Sequence, residues 1–348
     1  MRLRRPAALA ALTVLTVLPV VGSQVVASGP SPQAARAAAE HARIIAYWTP
    51  ARMKAAVPRD YAYDPATGRF HLVPTARPGT GGANGTTTGA SWPNGKGKVY
   101  SATGKVYFEM NGGAWICSGT AITDKGSGYS VVLTAGHCVY DEENGNGSLA
   151  GFATNWMFIP QFDSKPTYTC ADTQFGCWTA QALVARREFA TAGGFTTTAT
   201  HYDWGFAVVG QGGLSGSAQL DATVGTFGTT FSNMSGGTVV DAFGYPAAQK
   251  YHGSDLVYCQ GPIGFDSLAG NGTYKLACGM TGGSSGGPWF SGFAAADGSS
   301  TGDAGSVQSL NSYGYSGQSN MYGPKFNSDT AATYTVANNG ATTNTLVP

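Results

Sequence analysis

The stretch Tyr129-Ser130-Val131-Val132-Leu133-Thr134-Ala135-Gly136-His137-Cys138 decides the fold. Its run of apolar residues, two of them β-branched, favours a short buried strand. The small residues Ala135 and Gly136 then let the chain turn and present a histidine beside a cysteine. A second cysteine stands upstream in Cys117-Ser118-Gly119-Thr120. The other histidines, His41, His71, His201 and His252, have no such setting. At this point His137 is either a base for catalysis or a satisfied histidine beside a structural bridge.

Working outward, similar short runs recur: Val106 to Phe108, Thr120 to Thr123, Val131 to Leu133, Trp156 to Ile159, Phe206 to Val209, Val239 to Phe243 and Ser306 to Leu310. Turn residues separate them, supplied by a chain with 51 glycines, and no long helical period intervenes. An all-β barrel or sandwich follows, with no repeat at a fixed period. Charged residues make up 11% of the chain, against roughly a quarter in an average soluble domain. The 20 basic and 19 acidic side chains nearly cancel, so no field points to nucleic acid or to an anionic membrane.

Met1-Arg2-Leu3-Arg4-Arg5 is followed by an apolar run from Ala7 to Val21 and then by small residues, the outline of a signal peptide over 1–27. The run is shorter than the ~20 apolar residues of a membrane span, so a secreted, extracellular protein free of the membrane is expected. The six cysteines suit an oxidising space. Of fifteen possible pairings, sequence neighbours suggest Cys117–Cys138, Cys170–Cys177 and Cys259–Cys278. No close C-x-x-C pair supports zinc. Asp141-Glu142-Glu143-Asn144 reads as a solvated turn and not a calcium loop, so neither metal nor cofactor is expected. The Ala-rich stretch Ala34 to Ala46 favours helix and looks like a separate segment. Arg77 to Gly97 (RPGTGGANGTTTGASWPNGKG) has a linker's composition. The expected layout is a pro-segment over 28–76, a linker over 77–98 and a catalytic body over 99–348.

The second chemical signal is Gly282-Gly283-Ser284-Ser285-Gly286-Gly287-Pro288, bounded by Cys278 and by Trp289-Phe290. The third is Tyr202-Asp203-Trp204-Gly205-Phe206-Ala207-Val208-Val209, an acid at the head of an apolar strand. Together with Thr134-Ala135-Gly136-His137-Cys138, these motifs resemble the trypsin-like serine peptidases, in their bacterial secreted branch, over roughly Val99 to Tyr322. The resemblance implies two six-stranded antiparallel β-barrels, with a processed N-terminal segment and a short C-terminal helix. It also implies Ser285 as nucleophile, His137 as base and Asp203 as the acid that orients the imidazole, with Asp172, Asp221 and Asp241 as other candidates for the acid. A Cys117–Cys138 bridge would then hold the His137 loop in place. The amides of Gly283 and Ser285 would converge on a developing oxyanion.

On the same resemblance, Val307-Gln308-Ser309-Leu310-Asn311-Ser312-Tyr313-Gly314 is the strand that pairs with substrate, so Ser312, Tyr313 and Gly314 should face it. Gly279, Met280 and Thr281 should line the primary pocket. None of them is charged, and glutamyl endopeptidases carry a histidine where this chain has Asn311, so a neutral residue of medium size is expected at the cleavage site. Ser284 stands where many animal members have the aspartate that receives a new N-terminus, so activation by release of the pro-segment is expected instead. The expected activity is that of a monomeric serine endopeptidase acting on polypeptides, rising with pH through the histidine range near neutrality. The alternatives are an inactive binding module of the same fold and a secreted serine esterase, whose Gly-x-Ser-x-Gly elbow is missing here.

Overall fold

The strand predicted over Val131 to Leu133 forms as Ser130–Thr134 and is entirely buried. It pairs antiparallel with Gly113–Ile122 on one side and Gly205–Val209 on the other. Trp178–Arg186, Thr154–Pro160 and Thr103–Met110 continue from there, and Thr103–Met110 pairs back onto Gly113–Ile122. The ring is therefore a closed six-stranded antiparallel barrel that leaves no free edge within it. Val106, Phe108, Leu133, Phe158, Val184 and Phe206 belong to the buried core cluster. The computed structural model describes residues 31–74, 89–92, 97–162, 168–248, 251, 253–294 and 303–348. The expected signal peptide, His252 and most of the expected linker lie outside them.

The second barrel is built from two sheets. Pro288–Ala294 pairs with Ala304–Leu310 and with Val239–Gly244, which pairs with Val257–Pro262. Tyr274–Ala277 pairs with Asn320–Gly323, and that strand pairs with Tyr313–Tyr315. Two residues separate Ala304–Leu310 from Tyr313–Tyr315, so one chain direction carries both sheets. The open seam lies between Val257–Pro262 and Tyr274–Ala277. Cys259–Cys278 closes it, with Cα atoms 5.6 Å apart. The other two expected bridges are also present. Closing the 21-residue separation between Cys117 and Cys138 contributes about 3 kcal/mol on a chain-entropy basis.

All seven strand runs read from the sequence fall on strands, and the C-terminal helix forms over Ser328–Asn338. Asn327 and Thr330 cap its start reciprocally. The Ala-rich stretch is a helix, Pro32–Tyr47, opened by Ser31 and by Pro32 in the first turn. It is not detached from the barrels. Ile44 and Trp48 are buried, and the Trp48 indole N–H donates to the Asn155 carbonyl at 2.6 Å. Downstream, Val57–Pro58 joins the first barrel and Tyr61–Asp64 joins the second, each in parallel pairing. Within the stretch read as linker, Ala90–Ser91 pairs with Val257–Pro262. The helix Gly97–Ala102 leads into the strand Thr103–Met110, and its Val99 N–H donates to the buried Asp303 at 2.6 Å.

Candidate active site

His137 sits in a single 3₁₀ turn, Gly136–Cys138, directly after the buried strand and is itself wholly buried. Asp203 precedes the neighbouring strand Gly205–Val209, so the pairing of Gly205 with Thr134 sets the two side chains face to face. His137 Nδ1 lies 2.9 Å from Asp203 Oδ2 and 3.1 Å from Oδ1, and the His137 backbone N–H donates to Oδ1 at 2.8 Å. The Ser312 hydroxyl donates to Oδ2 at 2.5 Å. A carboxylate with this many donors is fixed in rotation, which fixes the imidazole it faces. Ser312 was expected to face substrate. Its side chain bonds Asp203, and the neighbouring Tyr313 is wholly buried, its hydroxyl donating to Asp266 at 2.7 Å.

Ser285 comes from the other barrel. Its carbonyl accepts the Ser118 N–H at 2.7 Å, and the Ser118 hydroxyl donates to the Gly283 carbonyl at 2.8 Å, so two hydrogen bonds seat the serine loop against the first barrel. Gly286 has φ +84°, and a Cβ there would stand 2.4 Å from the Ser118 carbonyl oxygen. Only glycine permits that approach. Gly283, with φ +96°, is packed under Tyr245 in the same way. The amides of Ser284, Gly286 and Gly287 donate to Thr281, Asn311 and Ser284. Among the described residues, those of Gly283 and Ser285 have no partner.

The other candidate acids are engaged elsewhere: Asp172 accepts from the Thr169 hydroxyl, Asp221 from Ser130 and Asp241 from Gln260. Gly279, Met280 and Thr281 line a cavity of 210 Å³ with Tyr315, Gln318 and Asn320. Asn311 faces away from it, accepting from the Trp289 indole at 2.6 Å and donating to the carbonyls of Phe243 and Ser284. A larger cavity of 760 Å³ lies beneath the helix Pro32–Tyr47, beside Trp156 and Leu183.

Comparison with solved structures supplies the family. Protease Anisep from Arthrobacter nicotinovorans is 34% identical over a match that covers 69% of this chain and 96% of that one, with a TM-score of 0.56. The chain belongs to the trypsin-like serine proteases. A thermostable serine protease, AL20, from an extremophilic microorganism agrees, at 33% identity over 70% of this chain and all of that one, with a TM-score of 0.56. A Glu endopeptidase at 16% identity, covering 72% of this chain and 97% of that one, shares the fold with a TM-score of 0.52. No protein-family model matches the chain, and no curated protein does.

In this protease the sequence reading passed over the residues that occupy the cleft. Ser285 Oγ donates to Asp60 Oδ1 at 3.3 Å, and among the described residues His137 Nε2 is buried without a partner. Arg59 donates to the His137 carbonyl at 2.7 Å and lies 3.1 Å from Glu142 and 3.5 Å from Asp141. The turn Asp141 to Asn144 is thus solvated only in its second half, where Glu143 and Asn144 are exposed. Asp141 and Glu142 are buried, and Tyr61 donates to Glu143 at 3.2 Å. Burial is the largest influence on Glu142 and pushes its carboxyl up, with Arg59 pulling it back only in part. Burial alone would lower Arg59, but Glu142 and Asp141 outweigh it and hold the guanidinium charged. Arg59 next to Asp60 was the available signal, and no local pattern tied it to a turn about 80 residues on.

Proposed function

We propose that this protease is a secreted serine endopeptidase that cleaves peptide bonds through an acyl-enzyme, and that it is made as a precursor. The observation that carries the reading is the buried Asp203–His137 pair, at 2.9 Å, with the Ser285 loop docked beside it. Ser285 Oγ attacks the scissile carbonyl while His137 Nε2 takes its proton, and Asp203 stabilises the imidazolium. The amides of Gly283 and Ser285 face the oxyanion of the tetrahedral intermediate. Its collapse breaks the C–N bond, the amine leaves with the proton from His137, and the acyl group stays as an ester on Ser285. Water, deprotonated by His137, then releases the acid and restores the serine.

The acyl half of a substrate lies along Tyr313–Tyr315, with one side chain in the cavity of Gly279, Met280 and Thr281. The leaving half lies across Ser285 along Trp115–Ile116. The barrel residues that line this cavity are uncharged, which supports a neutral residue of medium size. The test is a fluorophosphonate probe on chain freed of residues before 97. Covalent modification of Ser285, lost in His137→Ala, is expected; absence of modification in the freed wild type overturns the reading.

A further inference from the structure

Residues 57–73 lie across the cleft from one barrel to the other. Val57 and Pro58 pair in parallel with Trp115 and Ile116, and the Arg59 N–H donates to the Ile116 carbonyl at 3.3 Å. Tyr61, Ala62 and Tyr63 pair in parallel with Tyr313, Gly314 and Tyr315. Between the two pairings, Asp60 meets the Ser285 hydroxyl. The Tyr61 ring stacks on Phe195 at 4.1 Å and stands edge-on to the His137 imidazole at 5.6 Å. The strand then turns back, and the Val73 N–H donates to the Asp60 carbonyl at 2.7 Å.

The direction of this strand matters. On the proposed reaction, a substrate's N-terminal, acyl half lies on Tyr313–Tyr315 and its C-terminal half on Trp115–Ile116. Residues 57–63 run the other way, from Ile116 to Tyr313. No peptide bond of the strand is then offered to Ser285 with its carbonyl on the acyl side. The nucleophile's hydroxyl is bonded to a carboxylate and not to the imidazole, so the base has nothing to deprotonate.

Resting on the peptidase reading, we propose that residues 57–73 are a built-in inhibitor that occupies this cleft in reversed polarity. Asp60 caps Ser285, Arg59 anchors the segment on Asp141 and Glu142, and Tyr61 covers the imidazole. Because the strand is bound backwards, the protease does not cut it within the cleft; activity waits for a cut elsewhere between the strand and the body, followed by departure. Before that cut the covalent link keeps the strand at a high effective concentration, and afterwards it competes as a free peptide.

The test compares fluorophosphonate labelling of Ser285 in the uncut chain, in the chain cut between residues 74 and 97, and in uncut Arg59→Ala and Asp60→Asn. The uncut wild type is expected to label about 100-fold more slowly than the cut, dissociated form, and each variant to recover about tenfold. A synthetic peptide of residues 57–73 should restore inhibition of the cut form and be recovered intact by mass spectrometry. Equal labelling of uncut and cut chain, or cleavage of the peptide between residues 59 and 62, overturns the proposal. If even the cut form does not label, the peptidase reading fails, and the strand is then judged by fluorescence anisotropy of the labelled peptide on the cut chain. Binding that Arg59→Ala abolishes supports the reversed site, and no binding overturns it.

Discussion

Two buried carboxylates serve the loop that carries His137, and they are held in opposite ways. Asp203 takes its hydrogen bonds from His137 and Ser312, residues of the two barrels themselves. Glu142 takes its cation from Arg59, which lies before the body. The first arrangement persists through any processing of the N-terminal segment. The second exists only while that segment is in place, and a carboxylate left in a low-dielectric site without its partner is unfavourable by several kcal/mol. The lesson is that burial alone does not separate a permanent element of a site from a conditional one. What separates them is which part of the chain supplies the partner.

The largest effect is expected at the permanent pair. Asp203→Asn in the cut enzyme should lower kcat by about 10⁴ with little change in folding, since the amide favours the wrong imidazole tautomer. Steady-state kinetics beside a circular dichroism melt would show it, and a loss below tenfold would remove Asp203 from the mechanism. The conditional pair should answer differently. Glu142→Gln should destabilise the uncut chain by about 3–5 kcal/mol by breaking a buried ion pair. The cut chain should be unharmed or stabilised, because there the change removes an unpaired charge. Denaturant midpoints of both forms test this, and equal shifts would erase the contrast.

A third buried charge sharpens the comparison with the smallest effect. Lys105 has no carboxylate partner among the described residues; its ammonium donates to the Gly253 carbonyl at 2.9 Å and sits over the Phe162 ring at 4.6 Å. Burial lowers its pKa to about 7. In the unfolded chain the group stays charged to about pH 10.4, so the unfolded state binds more protons between these values. The resulting penalty is full below pH 7 and fades as pH rises towards 10. Lys105→Met should therefore raise Tm by roughly 2–4 °C for each kcal/mol recovered, more at pH 7 than at pH 10. A gain independent of pH would mean that packing, not charge, is responsible.

Much of this was legible from local sequence. Val131 to Leu133 and Phe206 to Val209 read as strands because apolar, β-branched runs fit a buried sheet. The motifs around His137, Asp203 and Ser285 mark themselves by glycine, cysteine and order along the chain. Trp178–Arg186 did not read as a strand: its Ala and Gln residues have low β propensity, and pairing on both sides overrides it. The bond from Ser312 to Asp203 left no local signal, because it joins residues 109 apart in the sequence. Asp60, Arg59 and the burial of Glu142 were out of reach for a different reason. They depend on parallel pairing between segments far apart in sequence, and that pairing leaves no periodic mark in either partner.

Gly286 carries one more consequence. The imidazole and its carboxylate belong to one barrel and the attacking hydroxyl to the other, and the two halves meet where this residue has no side chain. A single methyl group at that position would act as a wedge, parting the halves and silencing the chemistry while leaving every reacting group intact.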